Sequence, residues 1–266
     1  MKRVAWLTDI HLNFLAAFQR HDFLHVLAQS RPDVLLIGGD VAEALDLLDH
    51  LGEIAEAVPC PIYFVLGNHD YYHGSIRRVR EQVRLFCREH PRLTWLSDAG
   101  VVELTSGTGL VGHDGWADGR LGDYERSLVL MNDYRLIEEL SHLGKLDRWQ
   151  RLKALGDEAA DHIRAVLPAA LEAYPHVLLL THVPPLREAC WYQGRPSNDE
   201  WAPHFTCYAM GQALLEIMSE HPDRQLTVFC GHTHSPGECR PLSNLRILTG
   251  AAEYGHPRIQ QVFELQ

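Results

Sequence analysis

Five short apolar runs of the sequence are each followed at once by Asp, Asn or His, whose side chains bind metal ions. The candidate ligands at these positions are Asp9, His11, Asp40, Asn68, His182, His232 and His234. One such residue after a strand is usually structural, but five successive occurrences are hard to assign to chance. Carboxylate, amide and imidazole donors without a thiolate suit Mn²⁺, Fe or Zn²⁺. One tetrahedral ion does not need so many ligands, whereas two ions about 3.5–4 Å apart that share a carboxylate do, so the pattern predicts a dinuclear metal centre.

Two pairs of these candidates, Asp9 with His11 and His232 with His234, lie two residues apart. In an extended chain this spacing places both side chains of a pair on the same side. The carboxyl ends of the strands form the binding crevice in open α/β sheets. We therefore expect each pair to continue its strand in an extended conformation and to converge on one site.

The order of the blocks resembles that of a known family. Asp-x-His, Gly-Asp, Gly-Asn-His-Asp, a later His and Gly-His-Thr-His follow one another from Asp9 to His234, as in the calcineurin-like metallophosphoesterase superfamily. The resemblance implies that one ion is held by Asp9, His11 and His234 and the other by Asn68, His182 and His232. It also implies that Asp40 bridges the ions and that His69 is the catalytic histidine, with Asp70 orienting it.

The resemblance implies hydrolysis of a phosphomonoester or phosphodiester of a small molecule or nucleotide. The attack would be in line, by a hydroxide that bridges two divalent transition-metal ions. His69 would protonate the leaving alkoxide or donate a hydrogen bond to a phosphoryl oxygen, and both roles stay open. After Asp40 the chain lacks the Arg of the protein serine/threonine phosphatases, and Asp70 stands where those have Glu. These departures place the chain outside that branch and favour small organic phosphates over phosphoproteins.

The main alternative is a catalytically silent scaffold of the same fold that binds a protein partner. Such a scaffold is expected to lose ligands or the catalytic histidine, and this chain keeps all of them. A single structural Zn²⁺ site is disfavoured by the absence of clustered Cys and by the surplus of ligands. We therefore expect a metal-dependent phosphoric ester hydrolase.

Apolar runs rich in Val, Ile, Leu or Phe alternate with stretches of helical spacing, which predicts an α/β architecture. Buried strands are predicted over residues 4–8, 34–38, 62–66, 177–181 and 226–230. Helices are predicted over residues 18–29, 42–57, 76–90 and 146–173, and a second group of strands over 94–96, 101–104, 110–112, 246–248 and 258–263. The resemblance implies two mixed β-sheets packed as a sandwich and flanked by helices, and we expect one domain over residues 1–266.

Residues 183–207 lie between two ligand blocks, lack periodicity and carry Trp191, Arg195 and His204. Loops of this length in compact domains are often functional. These three side chains are candidates for binding the organic part of the substrate, whether a nucleoside, an aryl group or a second phosphate. An Ω-loop packed by its own aromatic side chains is the alternative, and both interpretations stay open.

The chain has 266 residues, of which 46% are hydrophobic and 22% charged, a composition that excludes disordered, collagen-like and disulfide-scaffold proteins. Its net charge of −11 argues against extended nucleic-acid binding. The six cysteines form no Cys-x-x-Cys pair, which is typical of a protein in a reducing compartment. Asp9 and His11 interrupt the apolar run near Met1, so this run does not resemble a signal peptide. We expect a cytoplasmic protein without a membrane span, acting on a small-molecule or nucleotide phosphate ester, and the oligomeric state stays open.

Overall fold

The computed structural model describes residues 1–266. The strands are β1 (Lys2–Leu7), β2 (Val34–Gly38), β3 (Ile62–Val65), β4 (Leu93–Trp95), β5 (Val102–Thr105), β6 (Thr108–Gly112), β7 (His176–Leu180), β8 (Trp191–Tyr192), β9 (Arg195–Pro196), β10 (Gln225–Cys230), β11 (Gly237–Leu242), β12 (Leu245–Thr249) and β13 (Gln261–Leu265). The helices are α1 (Ala17–Gln29), α2 (Leu47–Ala57), α3 (Ile76–Glu89), α4 (Asp133–Leu136), α5 (Glu138–Ser141), α6 (Lys145–Ala173), α7 (Ala202–Phe205) and α8 (Tyr208–Glu220).

The strands form two large mixed sheets and one small hairpin. The first sheet has the order β13-β1-β2-β3-β4, with β1 to β4 parallel and β13 antiparallel to β1. The second has the order β11-β12-β10-β7-β6-β5, with a parallel centre and an antiparallel strand at each edge. Strands β8 and β9 pair with each other in the third. In both large sheets the carboxyl ends of the parallel strands open toward the candidate ligands.

The core lies in three layers, because each large sheet is buried on both faces. Between the sheets, residues such as Trp6 of β1 and Phe229 of β10 pack with ring centroids 4.8 Å apart. The outer face of the first sheet packs on residues such as Leu27 of α1 and Leu51 of α2. The outer face of the second packs on α6 and α8. Burying one aliphatic side chain completely contributes about 1.5–3 kcal/mol to the free energy of folding. Because strands and helices alternate in the sequence, the sandwich is the arrangement that buries their apolar faces.

The predicted fold class is confirmed: two mixed sheets pack together and are flanked by helices. The five buried strands all form, each within one residue of its predicted ends except β1, which begins at Lys2. Helix α8 and strand β11 are not among the predicted elements. Helix α8 buries apolar residues at helical spacing, so its signal was present in the sequence. Strand β11 carries charged residues and a proline, as is usual for an edge strand.

Helix α2 begins at Leu47, five residues after the predicted start, because other acceptors take the preceding backbone N–H groups. The Ala42 amide donates to Asp70 Oδ1 over 3.0 Å, and the Ala44 amide donates to the Tyr72 carbonyl over 3.2 Å. These bonds hold residues 42–44 against the segment after β3. The segment at residues 42–44, which was predicted to be helical, therefore forms part of the candidate site instead. None of the helices combines the length and the apolar composition required to cross a bilayer.

Candidate metal centre and active site

The structure brings the seven predicted ligands together where the two sheets meet. Four of them form one group in which the ligand atoms of Asp9, His11, Asp40 and His234 all lie within 4.8 Å of one another. The Nε2 atom of His11 lies 3.2 Å from Nε2 of His234 and 3.7 Å from Oδ2 of Asp40. The Nε2 atom of His234 lies 3.4 Å from Oδ1 of Asp9. This group contains the three residues that the resemblance assigns to one ion, together with Asp40.

The remaining three predicted ligands lie on the other side of Asp40. The Nε2 atom of His182 is 3.4 Å from Oδ1 of Asp40 and 3.1 Å from Oδ1 of Asn68. The rings of His182 and His232 have centroids 5.0 Å apart. Asp40 thus directs Oδ2 toward His11 of the first group and Oδ1 toward His182 of the second. This is the geometry required of a bridging carboxylate.

The backbone is left-handed at five of the seven candidate ligands, including both predicted pairs, so the expectation of extended pairs is wrong. The φ angle is 52° at Asp9, 42° at His11, 53° at Asp40, 68° at His232 and 56° at His234. Asp and His adopt this region more readily than most residues, yet it remains costly, and such strain concentrates at functional sites. The paired side chains converge because the chain turns sharply after β1 and β10.

Two glycines leave room for the carboxylates of the site. A Cβ atom on Gly67 would overlap Oδ1 of Asp40 and would lie 2.7 Å from Cε1 of His182. A Cβ atom on Gly231 would overlap the carboxylate of Asp9. The glycine in each block therefore permits the close approach of a ligand that belongs to a different strand end.

Outer hydrogen bonds orient the ligands of the second group. Nδ1 of His182 donates to the Gly38 carbonyl over 2.8 Å, which leaves its Nε2 atom for a metal. Nδ2 of Asn68 donates to Asp133 over 2.9 Å, which turns its Oδ1 atom toward the centre. Nε2 of His232 donates to the His204 carbonyl over 3.2 Å. Sequence reasoning missed Asp133, which lies 65 residues beyond Asn68 in a segment without a recognisable motif.

His69 lies beside the two groups without joining either. Its backbone N–H donates to Oδ1 of Asp40 over 2.9 Å, and its ring lies 4.2 Å from that of Tyr72 between centroids. The Nδ1 atom is buried without a hydrogen-bond partner, and Nε2 lies 3.4 Å from the hydroxyl of Tyr254. His69, Asp40 and Tyr254 line one cavity of about 350 Å³. The sequence provided no sign of Tyr254, which precedes β13 and reaches the site only through the fold.

No hydrogen bond joins the Asp70 carboxylate to the His69 ring, whose Nδ1 atom has no partner, so the orienting role of Asp70 stays a prediction. The Asp70 carboxylate is fully buried and accepts four backbone N–H bonds, from Gly67, Asp40, Val41 and Ala42, over 2.7–3.0 Å. These bonds tie the segment after β2 to the segment after β3. Asp70 is one residue from His69 in the chain, but its side chain points the other way and holds the backbone that carries Asp40.

Burial keeps the imidazoles of His11, His69 and His232 uncharged. Desolvation, with the repulsion of neighbouring histidines, lowers the pKa of His11 to about 2 and the pKa values of His69 and His232 to about 3. Desolvation, followed by repulsion from Asp9 and Asp70, raises the pKa of Asp40. Neutral imidazole is the form that binds a metal ion, and a cation between Asp9 and Asp40 would relieve the repulsion between their carboxylates.

The loop at residues 183–207 places two of its three predicted substrate residues at a cavity and buries the third. Trp191 and Arg195 line a cavity of about 480 Å³ that adjoins the metal groups. His204 does not line this cavity. Its ring is buried and is directed to other partners, with hydrogen bonds to Tyr134 Oη over 2.5 Å and to Ser127 Oγ over 2.9 Å. The prediction for His204 is therefore wrong, because its side chain stabilises the loop and only its carbonyl touches a candidate ligand.

A family model described as calcineurin-like phosphoesterase matches residues 2–236. The chain belongs to the calcineurin-like phosphoesterase family. The predicted resemblance is thereby confirmed, and this phosphoesterase is a metal-dependent phosphoric ester hydrolase. The scaffold alternative has no support, since four of the candidate ligands line one cavity together with His69: Asp40, Asn68, His232 and His234.

Two solved structures resemble this calcineurin-like phosphoesterase over nearly its whole length. The phosphopantetheinyl hydrolase from Mycobacterium tuberculosis is 15% identical, with a TM-score of 0.65, over 95% of this chain and 89% of its own. A dimetal phosphatase from Danio rerio is 15% identical, with a TM-score of 0.61, over 96% of this chain and 89% of its own. At this identity the likeness shows a shared fold. No curated protein matches the sequence.

The donor set of this phosphoesterase fits a pair of divalent cations. Oxygen and imidazole donors converge from both sides of Asp40, and no cysteine is among them. Such donors suit Mn²⁺, Fe or Zn²⁺. The hydrogen bonds behind His182 and Asn68 are of the kind that orients metal ligands, so the donors of the second group are held in place for an ion.

Proposed function

We propose that the chain is a dinuclear metal-dependent phosphoesterase that hydrolyses a phosphomonoester or phosphodiester of a small molecule or nucleotide. One observation carries the proposal above all. The two carboxylate oxygens of Asp40 face separate donor groups, one containing His11 at 3.7 Å and the other containing His182 at 3.4 Å. A carboxylate in this position serves two ions at once.

Each group would hold one cation. The first ion would be bound by Asp9, His11 and His234, the second by Asn68, His182 and His232, and both by Asp40. When bound, the pair supplies an activated water for in-line attack on phosphorus and neutralises negative charge in the transition state. The protein contributes the fixed orientation of the donors, since His182 is held by Gly38 and Asn68 by Asp133.

His69 is the proposed catalytic histidine. It lines the cavity with Asp40, is held there by its backbone bond to that residue, and has a ring nitrogen within 3.4 Å of Tyr254 Oη. The neutral ring can donate its N–H group to a phosphoryl oxygen. The ring can pass a proton to the leaving alkoxide only in its protonated form, which the negative charge of a bound phosphate would favour. The two roles differ in how the rate depends on the leaving group, which provides a means of separating them.

The substrate is proposed to be a small organic phosphate. The segment after Asp40 lacks the Arg of the protein phosphatase branch, and the protein carries a net charge of −11, which disfavours acidic macromolecules. Comparing the turnover of p-nitrophenyl phosphate, bis(p-nitrophenyl) phosphate and a phosphopeptide, each with Mn²⁺, Fe²⁺ or Zn²⁺, tests this. We expect both small esters to exceed the phosphopeptide in kcat/KM. A phosphopeptide that is by far the best substrate would overturn the assignment.

A further inference from the structure

A second cavity adjoins the candidate metal centre and contains two of the predicted substrate residues, Trp191 and Arg195. It measures about 480 Å³, within the range of small-molecule sites. Its walls come mainly from residues 191–205, which form the hairpin β8–β9 and the short helix α7. Four aromatic side chains line it: Trp191, Tyr192, Trp201 and Phe205. Two of them, Trp201 and Tyr192, are 46% and 56% exposed, an unusual degree for large aromatic side chains.

This aromatic cavity is continuous with the metal site. Phe205 and Thr233 line both cavities, and Thr233 stands between the candidate ligands His232 and His234. A row of rings connects the two: the centroid of Phe205 lies 4.7 Å from that of His232 and 5.9 Å from that of Trp201. A phosphate bound at the metal site would therefore have the organic part of its ester within reach of the aromatic cavity.

The polar groups of the aromatic cavity are chiefly hydrogen-bond donors. Arg195 lines it and forms none of the ion pairs of the protein, whereas nearby Arg187 is paired with Asp199. The Oδ1 atom of Asn198 accepts from the backbone N–H groups of Glu200 and Trp201, both over 3.1 Å, which leaves its NH₂ group to donate. No acidic side chain lines the cavity. A ligand with hydrogen-bond acceptors fits this lining better than a plain hydrocarbon ring.

We infer that the aromatic cavity binds a planar heteroaromatic ring of the nucleobase kind, carried by the phosphate ester that the metal site cleaves. The inference rests on the proposed function and specifies its substrate class. The ring stacks on Trp201, which is more exposed than Phe205, and its ring nitrogens and carbonyl oxygens accept hydrogen bonds from Arg195 and Asn198. Stacking supplies affinity for any base, because every base has a π-face, and the donors distinguish a base from a phenyl ring.

The test uses three diesters with the same p-nitrophenolate leaving group. They are thymidine 5′-(p-nitrophenyl phosphate), the matching deoxyribose ester without the base, and benzyl p-nitrophenyl phosphate. With the metal-loaded enzyme we expect kcat/KM for the thymidine ester to exceed that for the abasic ester roughly 5- to 100-fold, the effect of stacking one base on an aromatic side chain. In Trp201→Ala the thymidine-to-abasic ratio should fall toward one, and in Arg195→Ala the thymidine-to-benzyl ratio should fall. Phe18→Ala removes an aromatic side chain that is 70% exposed on α1 and should change neither ratio.

The outcomes separate the inference from the function beneath it. If neither these diesters nor p-nitrophenyl phosphate is cleaved with any metal, the proposed phosphoesterase function fails and the inference fails with it. If p-nitrophenyl phosphate alone is cleaved, the function stands and the inference, which requires cleavage of the thymidine ester, is wrong. If all three are cleaved with equal kcat/KM, the function stands and the inference is wrong. If the benzyl ester matches the thymidine ester, the cavity accepts aryl groups and the nucleobase assignment is wrong. A Trp201→Ala protein with the thermal unfolding temperature of the wild type and an undiminished thymidine preference would also contradict it.

Discussion

His69 lines one cavity with several candidate ligands, such as Asp40 and His234, so substitutions are needed to separate its role from theirs. Replacing His69 by Gln should leave the metal content and the fold unchanged, because no candidate ligand depends on its ring. Removing a positioned acid or donor typically costs ~10²–10⁴-fold in rate. If His69 protonates the leaving group, alkyl phosphates should lose far more kcat than nitrophenyl phosphates. If it steadies the phosphoryl oxygens, both should lose similar amounts.

The comparison requires a metal analysis of the same His69→Gln preparation. Bound metal equal to that of the wild type confirms that the rate loss comes from His69 itself. Full activity on alkyl phosphates, or loss of metal together with activity, would show that His69 has neither catalytic role.

Asp70 provides a second prediction, because the structure gives it a different task from the one its position suggests. Four backbone N–H groups donate to the Asp70 carboxylate, two to each oxygen. In Asp70→Asn, one of these oxygens becomes an NH₂ group, and two of the backbone donors lose their acceptor. Each unsatisfied buried amide costs about 1–3 kcal/mol, so the free energy of unfolding should fall by roughly 2–6 kcal/mol. Urea denaturation monitored by circular dichroism measures this. If Asp70→Asn kept wild-type stability and lost kcat as His69→Gln does, Asp70 would orient His69 after all.

The ligands were predictable from the sequence because each follows a buried strand, and strand ends converge. The hydrogen-bond partners behind them were not. Asp133 and Tyr254 reach the site from segments without periodicity, and their positions depend on the packing of the loops before α4 and β13. His204 illustrates the converse, since an aromatic loop suggested a binding residue where the fold buries the ring.

At the level of the elements, the turns after the strands carry the geometry. The five buried strands were predicted almost to the residue, but an extended continuation after them was wrong. The left-handed φ angles of Asp9 and His232 show why. Hydrophobic periodicity indicates which residues face the core. It does not indicate the backbone conformation of a turn that begins where the apolar run ends.

A substitution of Gly67 tests the close approach between the turn after β3, which contains Gly67, and the turn after β2, which contains Asp40. Gly67→Ala places a methyl group on Asp40 Oδ1 and beside His182, so the candidate ligands must move and metal binding and activity should fall together. Metal affinity is expected to drop by at least the 10–100-fold caused by disturbing the groups that orient ligands. Gly107→Ala is the matched control, because nothing lies within 4 Å of the added methyl group. Equal metal content and kcat in both variants would contradict the proposed crowding.

In the whole molecule, the candidate ligands come from both sheets, so bound metal should stabilise the sandwich. A ligand at 100 times its dissociation constant adds about 2.7 kcal/mol, which for a protein of this size corresponds to roughly 5–10 °C in Tm. Removing metal with EDTA should lower Tm by that amount, and adding Mn²⁺ or Zn²⁺ after dialysis should restore it. Differential scanning calorimetry provides the measurement. Identical transitions with and without metal would argue against a centre shared between the sheets.

The proposed function depends on a pair of metal ions bridged by Asp40. Wild-type protein and Asp40→Asn are purified without chelator, saturated with Mn²⁺ or Zn²⁺, and compared by elemental analysis and by anomalous scattering from their crystals. We expect two ions per chain in the wild type, about 3.5–4 Å apart and both in contact with Asp40, and we expect Asp40→Asn to lose metal and activity together. One ion per chain at saturation, or an ion that does not touch Asp40, would contradict it.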